Sequence, residues 1–277
     1  GSEYDRRDEE NNRRRELYSA FKIAQHDEVY YDPDDGGSRT VNGEPIDDRM
    51  NYLRYGPELT FRQSHERLAL GFTLKGQLWN YEDVEQVPEY DHEFFFVGTN
   101  VQYRFTRTSL LRLVADAYSR RYGERPSFDL DGNQFITAPP VRYDYLDLGV
   151  VARQRIHETL WFGVSYRRTD RTDKYVGYND YIRDSYGAEI HWSIGNRFEL
   201  DASGWYRLYN YPRAYAFHNP AAGRKTLESA DAKVSATYRM TPSLSLVLEA
   251  AFRELASNDT RIAYERSQYV LGIRWQP

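Results

Sequence analysis

Apolar and polar residues alternate along most of this chain, and this period of two limits its fold more than any other feature. In residues 68–79, LALGFTLKGQLW, large apolar side chains occupy nearly every second position. Successive side chains of a β-strand point to opposite faces, so this pattern predicts a strand with one apolar and one polar face. Sustained helical periodicity is absent, which favours an all-β fold.

Twelve segments show the pattern, and we expect twelve antiparallel strands. The predicted strands are 17–23, 53–61, 68–78, 95–105, 111–117, 146–152, 160–166, 188–194, 198–206, 232–238, 244–252 and 269–275.

The connections between these segments alternate strictly in length. Short turns are predicted at 64–65, 108–109, 157–158, 195–196 and 241–243, and long loops at 31–52, 82–92, 121–142, 171–185, 209–229 and 256–266. Tight turns on one side and long loops on the other are typical of a transmembrane up-and-down β-barrel with short periplasmic turns and long extracellular loops. An even number of strands places both termini on the periplasmic side.

Alternation alone leaves open whether the apolar face contacts lipid or the core of a soluble sandwich or barrel. Three features favour lipid. Eight strands already enclose a side-chain-filled interior, so twelve inward apolar faces would leave a void. Aromatic residues lie near the ends of the apolar stripes, as in the girdles of membrane barrels. The middle of each stripe carries almost no charge, as contact with hydrocarbon requires.

We expect two parts: a charged N-terminal tail or linker at 1–15 and a transmembrane β-barrel at 16–277. The segment 3–16, EYDRRDEENNRRRE, is nearly all charged. It fits either a solvated tail or the end of a helical periplasmic domain or partner that precedes the barrel.

Composition excludes several classes of protein. Without cysteine there is no disulfide scaffold and no thiol nucleophile. A net charge of −5 and a pI near 5.8 argue against nucleic acid as a partner. A mean hydropathy of −0.81 argues against a transmembrane helix. The 16% aromatic content argues against disorder.

The pattern of strands and loops resembles bacterial outer-membrane β-barrels from about Leu17 onward. The last predicted strand, YVLGIRW at 269–275, is similar to the C-terminal insertion signal of that class, but Gln276 and Pro277 follow its aromatic residue. In its Tyr- and Arg-rich character the chain is similar to acidic-oligosaccharide porins and to exopolysaccharide export barrels. The resemblance implies an outer-membrane location, and outer-membrane lipid and lipopolysaccharide as neighbours.

If the apolar stripes face lipid, parity assigns fifteen basic and eight acidic residues to the lumen. The predicted pore-lining residues are Lys22, Arg54, Arg62, Lys75, Arg104, Arg112, Arg120, Arg153, Arg155, Arg167, Arg207, Lys233, Arg239, Arg253 and Arg274, with the aromatic residues Trp79, Tyr118, Trp161 and Trp205. The acids are Glu58, Asp116, Asp147, Glu189, Glu199, Asp201, Asp231 and Glu249.

A cationic interior predicts passage of anions, because guanidinium groups bind carboxylate, sulfate and phosphate bidentately and rings of arginine favour anions in pores. We therefore expect a channel that lets anionic solutes, such as acidic saccharides or a polysaccharide, cross the outer membrane. The alternative is a plugged barrel, filled by paired charges, that serves as a binding, structural or secretion-complex component. Acidic loops such as 82–92 would repel an incoming polyanion unless divalent cations bridge them to lipopolysaccharide, and they would suit export.

Catalytic and metal-binding motifs are weak, so we expect neither an enzyme nor a cofactor. Gly-x-Ser-x-Gly, His-Glu-x-x-His and P-loop patterns are absent. His191, with Glu189 and Ser193 close by in sequence, is the one candidate for a Ser–His–acid site, as in the second alternative of an outer-membrane lipid-modifying enzyme. Residues 129–133, DLDGN, resemble part of a Ca²⁺ loop but have the glycine two positions early, so we expect a turn and no metal.

Overall fold

The computed structural model describes residues 2–8, 13–26, 52–81 and 90–275, with the backbone alone at 2–8, 13 and 26. The predicted acidic loop at 31–52 lies outside these residues except for Tyr52. The 82–92 loop lies outside them up to residue 89, and so does the Gln276–Pro277 end.

Strands make up nearly all of the described chain. They are β1 (Ser2–Asp8), β2 (Arg13–His26), β3 (Tyr52–His65), β4 (Leu68–Tyr81), β5 (His92–Arg104), β6 (Ser109–Pro126), β7 (Pro140–His157), β8 (Leu160–Asp173), β9 (Tyr181–Ile194), β10 (Phe198–Tyr215), β11 (Arg224–Thr241), β12 (Leu244–Ser257) and β13 (Tyr264–Trp275). Two short 3₁₀ turns, Ala216–His218 and Pro220–Ala222, join β10 to β11. No helix in the described residues is long and apolar enough to span a bilayer.

The strands form one sheet in sequence order, β1 to β13, in which each strand pairs with the next. Paired strands run antiparallel, with Leu59 opposite Leu74 between β3 and β4, for example, and Asp231 opposite Arg253 between β11 and β12. The all-β, antiparallel, up-and-down fold class predicted from the sequence is confirmed. Each of the twelve predicted strands falls within one of β2–β13, apart from Phe105, which lies one residue beyond β5.

The strict alternation of short and long connections is also confirmed, but the boundaries differ. Several strands are longer than predicted on the long-loop side, where β6, β7, β10 and β11 each reach 18 residues. The predicted 209–229 loop shrinks to 216–223, because residues 209 and 210 still pair with 227 and 226. The strands remain paired beyond the apolar stripe, because hydrogen bonds between strands need only backbone N–H and C=O groups.

β1 is not among the strands predicted from the sequence, since residues 2–8 lie in the charged segment assigned to the tail. It pairs with β2 from Ser2 opposite Ser19 to Asp8 opposite Arg13. β1 thereby satisfies backbone donors and acceptors on the second edge of β2, as any extended segment could.

The two faces of the sheet differ in burial. On the apolar face, Leu74, Leu148, Leu248 and Leu271 have exposed fractions between 37% and 71%. We define the polar face as the opposite side, which carries the ion pairs that cross between strands. The buried positions are dominated by tyrosine and small polar residues: Tyr143, Tyr145, Tyr178, Tyr181, Tyr211, Asp147, Thr169, Ser185 and Ser229.

The chain divides into two compact units. Unit 1 comprises Gly1–Thr99, Asp116–Leu146 and Arg171–Asn179, and unit 2 comprises Asn100–Ala115, Asp147–Asp170 and Asp180–Pro277. The division passes within β5, β6, β7 and β8, so it separates parts of strands and not whole hairpins.

Gly56 marks a close approach between β3 and β4. A Cβ atom added there would lie 1.9 Å from the carbonyl oxygen of Gly76 and 2.8 Å from Cα of Gln77. The two strands can meet at this point only because residue 56 has no side chain.

Candidate functional site

In unit 1, Glu58 of β3 joins two lysines across neighbouring strands. Its carboxylate lies 2.8 Å from Nζ of Lys22 on β2 and 3.5 Å from Nζ of Lys75 on β4. Lys75 also lies over the ring of Phe96 on β5, with Nζ 5.4 Å from the ring centroid. One carboxylate against two ammonium groups leaves a positive charge at this point of the polar face.

The polar face of unit 2 carries a longer series of ion pairs. Asp231 of β11 is held between Arg207 of β10 and Arg253 of β12, the latter at 3.3 Å. The other four pairs are Arg153–Glu189 at 2.7 Å, Arg167–Asp147 at 3.4 Å, Lys233–Glu249 at 2.7 Å and Arg239–Glu199 at 3.2 Å. Three of these pairs join neighbouring strands, where opposite charges stabilise a sheet, and Arg153–Glu189 reaches from β7 across β8 to β9.

Arginines outnumber the carboxylates that could neutralise them. Within the described residues, no carboxylate forms an ion pair with Arg54, Arg62, Arg104, Arg120, Arg155 or Arg274. Arg112 donates two hydrogen bonds to the side-chain oxygen of Gln102. Asp116 lies against Gly98, where an added Cβ would come within 2.7 Å of its Oδ1. Guanidinium groups therefore remain available on this face after the ion pairs have formed.

Aromatic rings cover several arginines of the polar face. Arg54 lies 5.0 Å from the ring centroid of Trp79, Arg207 lies 5.8 Å from that of Trp205, and Arg120 lies 6.0 Å from that of Tyr145. The ring of Tyr145 is in turn stacked on Tyr118, with centroids 4.4 Å apart. Cation–π contacts hold a guanidinium in place without neutralising it.

A run of stacked rings extends along the long-loop end of unit 1. Trp79 of β4 stacks on His92 of β5 with ring centroids 5.3 Å apart, and Tyr122 of β6 lies 5.1 Å beyond His92. Arg125 lies over the ring of Tyr122 at 5.4 Å, and Arg171 lies over that of Tyr143 at 4.6 Å. Flat rings beside cations can bind acidic sugars, and the same contacts also pack the side chains of this face against one another.

Ser193, His191 and Asp201 form a hydrogen-bonded series on the polar face of unit 2. Nδ1 of His191 lies 2.7 Å from Oδ1 of Asp201, and its Nε2 lies 3.1 Å from Oγ of Ser193. This order matches the nucleophile, base and orienting acid of serine hydrolases. The backbone N–H of Ser193, however, donates to the carbonyl of Thr159 at 2.8 Å, so it is not free to stabilise an oxyanion.

The long connections of unit 2 are tied together by Asp259. Its carboxylate accepts the backbone N–H of Phe217 at 2.9 Å and forms a bidentate pair with Arg261, 2.9 Å to Nε and 2.7 Å to Nη2. Hydrogen bonds from Arg261 hold the pKa of Asp259 well below its usual range. Phe217, which this anchor holds, and the next residue, His218, lie in the left-handed region, at φ 55° and 54°.

The 129–133 segment is a self-contained turn. Asp129 accepts the backbone N–H groups of Asp131 at 3.0 Å and Asn133 at 2.8 Å, and the hydrogen bond from Asn133 lowers its pKa. Among the described residues, no group of three or more His, Asp or Glu side chains is arranged to hold a metal ion.

The alternation of side chains along strands did not predict a residue that a turn brings to the polar face. Arg107 lies in the β5–β6 turn and lines a cavity with three of the predicted residues, Arg104, Arg153 and Arg155. Period-two parity ends where a strand ends, so it could not assign Arg107. The only signal was the arginine-rich string RFTRTSLLR at 104–112. The structure shows the contacts and neighbours of the predicted pore-lining residues. That these residues border a channel stays a prediction.

Known proteins resemble this chain in structure but not in sequence. No protein-family model matches the chain, and no curated protein matches it by sequence. Among solved structures, eleven chains are similar to it. One is the NanC porin in a rhombohedral crystal form, with a TM-score of 0.44 and 13% sequence identity over 81% of this chain and 94% of that one. This chain is thus similar to a porin at low sequence identity.

Proposed function

We propose that the strands of this chain form an outer-membrane β-barrel that lets anionic solutes, such as acidic saccharides or a polysaccharide, pass through an arginine-lined lumen. The apolar face would contact lipid and lipopolysaccharide, and the polar face would border water. Both ends of the β2–β13 series lie on the short-turn side, which we assign to the periplasm. A periplasmic helical domain or partner would join there.

The exposure of the apolar face supports the membrane location. Burying a leucine, valine or phenylalanine side chain is worth about 1.5–3 kcal/mol, so a sheet that exposes Leu74, Leu148 and Leu248 to water would lose tens of kcal/mol over all its strands. Contact with acyl chains removes this cost. The strands from β2 to β13, of 12 to 18 residues, exceed the about 9–11 residues that a tilted strand needs to cross a bilayer.

The surplus of guanidinium groups on the polar face carries the proposed selectivity. Carboxylates occupy some of the basic side chains, and Arg62, Arg155 and Arg274 remain without one among the described residues. Arginine stays charged at any physiological pH, so a water-filled passage beside these groups would favour anions.

Planar-bilayer conductance tests the channel. We expect anion-selective conductance from the purified chain, and a lower anion-to-cation permeability ratio after Arg62→Gln and Arg274→Gln are combined. The control combines Arg67→Gln with Arg197→Gln, which removes charge from short turns. A folded chain that gives no conductance would refute the channel, and unchanged selectivity would refute the role of the polar-face arginines.

A plugged barrel that binds a partner is the second candidate. Buried tyrosines favour it: Tyr143 and Tyr178 have exposed fractions of 7% and 0%, and the ring of Tyr178 stacks on Phe128 at 5.7 Å. Such packing would fill part of the interior of unit 1. The absence of conductance in planar bilayers that contain the correctly folded chain would support this candidate.

A hydrolase is the third candidate, favoured by the Ser193–His191–Asp201 hydrogen bonds. A fluorophosphonate probe tests it, because such probes label serines that an adjacent base activates. Labelling that disappears in Ser193→Ala would support a hydrolase. No labelling, together with unchanged lipid A masses when the chain is expressed, would exclude a serine hydrolase acting on lipid A.

A further inference from the structure

Four arginines converge on one cavity in unit 2, at the short-turn end of the strands. The cavity has a volume of about 350 Å³ and is lined by Arg104 at the end of β5, Arg107 in the following turn, and Arg153 and Arg155 on β7. Thr108, Ser109, Leu110 and Trp161 complete its wall.

Hydrogen bonds hold the turn against β7 and so place these arginines together. The backbone N–H of Arg155 donates to the carbonyl of Thr108 at 2.7 Å. The hydroxyl of Ser109 donates to the side-chain oxygen of Gln154 at 2.5 Å, and the amide of Gln154 donates to the hydroxyl of Thr108 at 3.3 Å. The wall of the cavity is therefore formed by a turn and a strand that are hydrogen-bonded to each other.

Its charge is largely uncompensated. Arg153 pairs with Glu189 at 2.7 Å, but within the described chain Arg104, Arg107 and Arg155 form no ion pair with a carboxylate. Like charges that converge repel one another, and in a cavity bordered by protein this repulsion is stronger than in bulk water. A bound anion would relieve it.

Trp161 stabilises the arrangement and does not offer an open stacking surface. Arg153 lies over its ring at 4.7 Å, and the ring of His191 stacks on it with centroids 5.6 Å apart at 27°. Recognition at this cavity would therefore depend on guanidinium groups and not on a sugar ring stacked against an aromatic side chain.

We propose that this cavity binds the oxyanion group of an acidic saccharide. Forked guanidinium donors match the two oxygens of a carboxylate or phosphate. The volume lies at the lower end of the about 300–1,000 Å³ found for small-molecule sites, which suits a single sugar unit. The role of the site in passage rests on the proposed channel, whereas binding itself does not.

Calorimetry on the whole chain in detergent micelles tests the site, with glucuronate, inorganic phosphate and glucose as probes. We expect glucuronate to bind, phosphate to compete with it, and glucose not to bind. Arg104→Gln combined with Arg155→Gln should weaken glucuronate binding at least tenfold, because it removes two of the uncompensated guanidiniums.

The matched control again combines Arg67→Gln and Arg197→Gln, which removes the same charge from other short turns. Equal weakening in the control, binding of glucose, or unchanged binding in the Arg104/Arg155 variant would overturn the site. Loss of binding in that variant with conductance retained would support the site as separable from the pore. If the native chain binds glucuronate in micelles but gives no conductance in planar bilayers, the channel is refuted and the binding site is not.

Discussion

At the scale of the residue, Asp259 shows how one carboxylate stabilises two long connections. It is almost fully buried, accepts a hydrogen bond from Phe217 and pairs bidentately with Arg261. Because its pKa is lowered in the folded chain, its stabilising contribution is complete above the ordinary carboxyl pKa of about 3.9 and is lost as the pH falls below that value toward the folded pKa.

This predicts that the 216–223 connection stays protected from hydrogen exchange at neutral pH and loses protection below about pH 4. Asp259→Asn removes the ion pair and should lower protection by about 1–3 kcal/mol at pH 7 while abolishing the pH dependence. Hydrogen exchange of peptides covering Phe217, normalised to intrinsic rates, measures both effects. Asp129→Asn, in a separate turn, is the control and should leave protection at Phe217 unchanged. Equal protection in Asp259→Asn at pH 7 would contradict the anchor.

At the scale of the element, the contact between β3 and β4 depends on Gly56. Gly56→Ala would force Cβ into the carbonyl of Gly76, so the two strands must separate locally. We expect a loss of about 1–3 kcal/mol, the usual cost of overpacking. Urea unfolding in micelles measures it. Gly272→Ala on β13 has no atom within 4 Å of the new Cβ, and it should change stability little. If the two substitutions lower the free energy of unfolding by similar amounts, the close approach at Gly56 does not determine the cost.

At the scale of the whole molecule, the orientation of the faces can be tested by placing the same charge on each. Leu248 on the apolar face is 51% exposed, while Thr237 on the polar face lies opposite Glu199. In a bilayer, Leu248→Arg should cost about 2–4 kcal/mol, as charges on the lipid face of a barrel do, whereas Thr237→Arg should cost less than about 1 kcal/mol. Folding into lipid vesicles, followed by the heat-dependent shift in gel mobility, measures both. The reverse order would place water on the leucine face.

The sequence alone determined the all-β class, the twelve strands β2–β13 and the two faces. Side chains alternate along any strand, so the period of two identifies β2–β13 and separates Leu74 from Lys75 without knowledge of partners. This period could not identify β1, because residues 2–8 show no alternating apolar stripe. They form a strand because they pair with β2.

Tertiary structure decided which charges meet. Asp231 is neutralised by Arg207 and Arg253 because strand register brings three strands together at that level, and register is not visible in one strand's own pattern. The arginine cavity likewise needed the turn that carries Arg107 to be tied to β7. Alternation assigns a side chain to a face, whereas contacts between side chains depend on how separate strands are aligned.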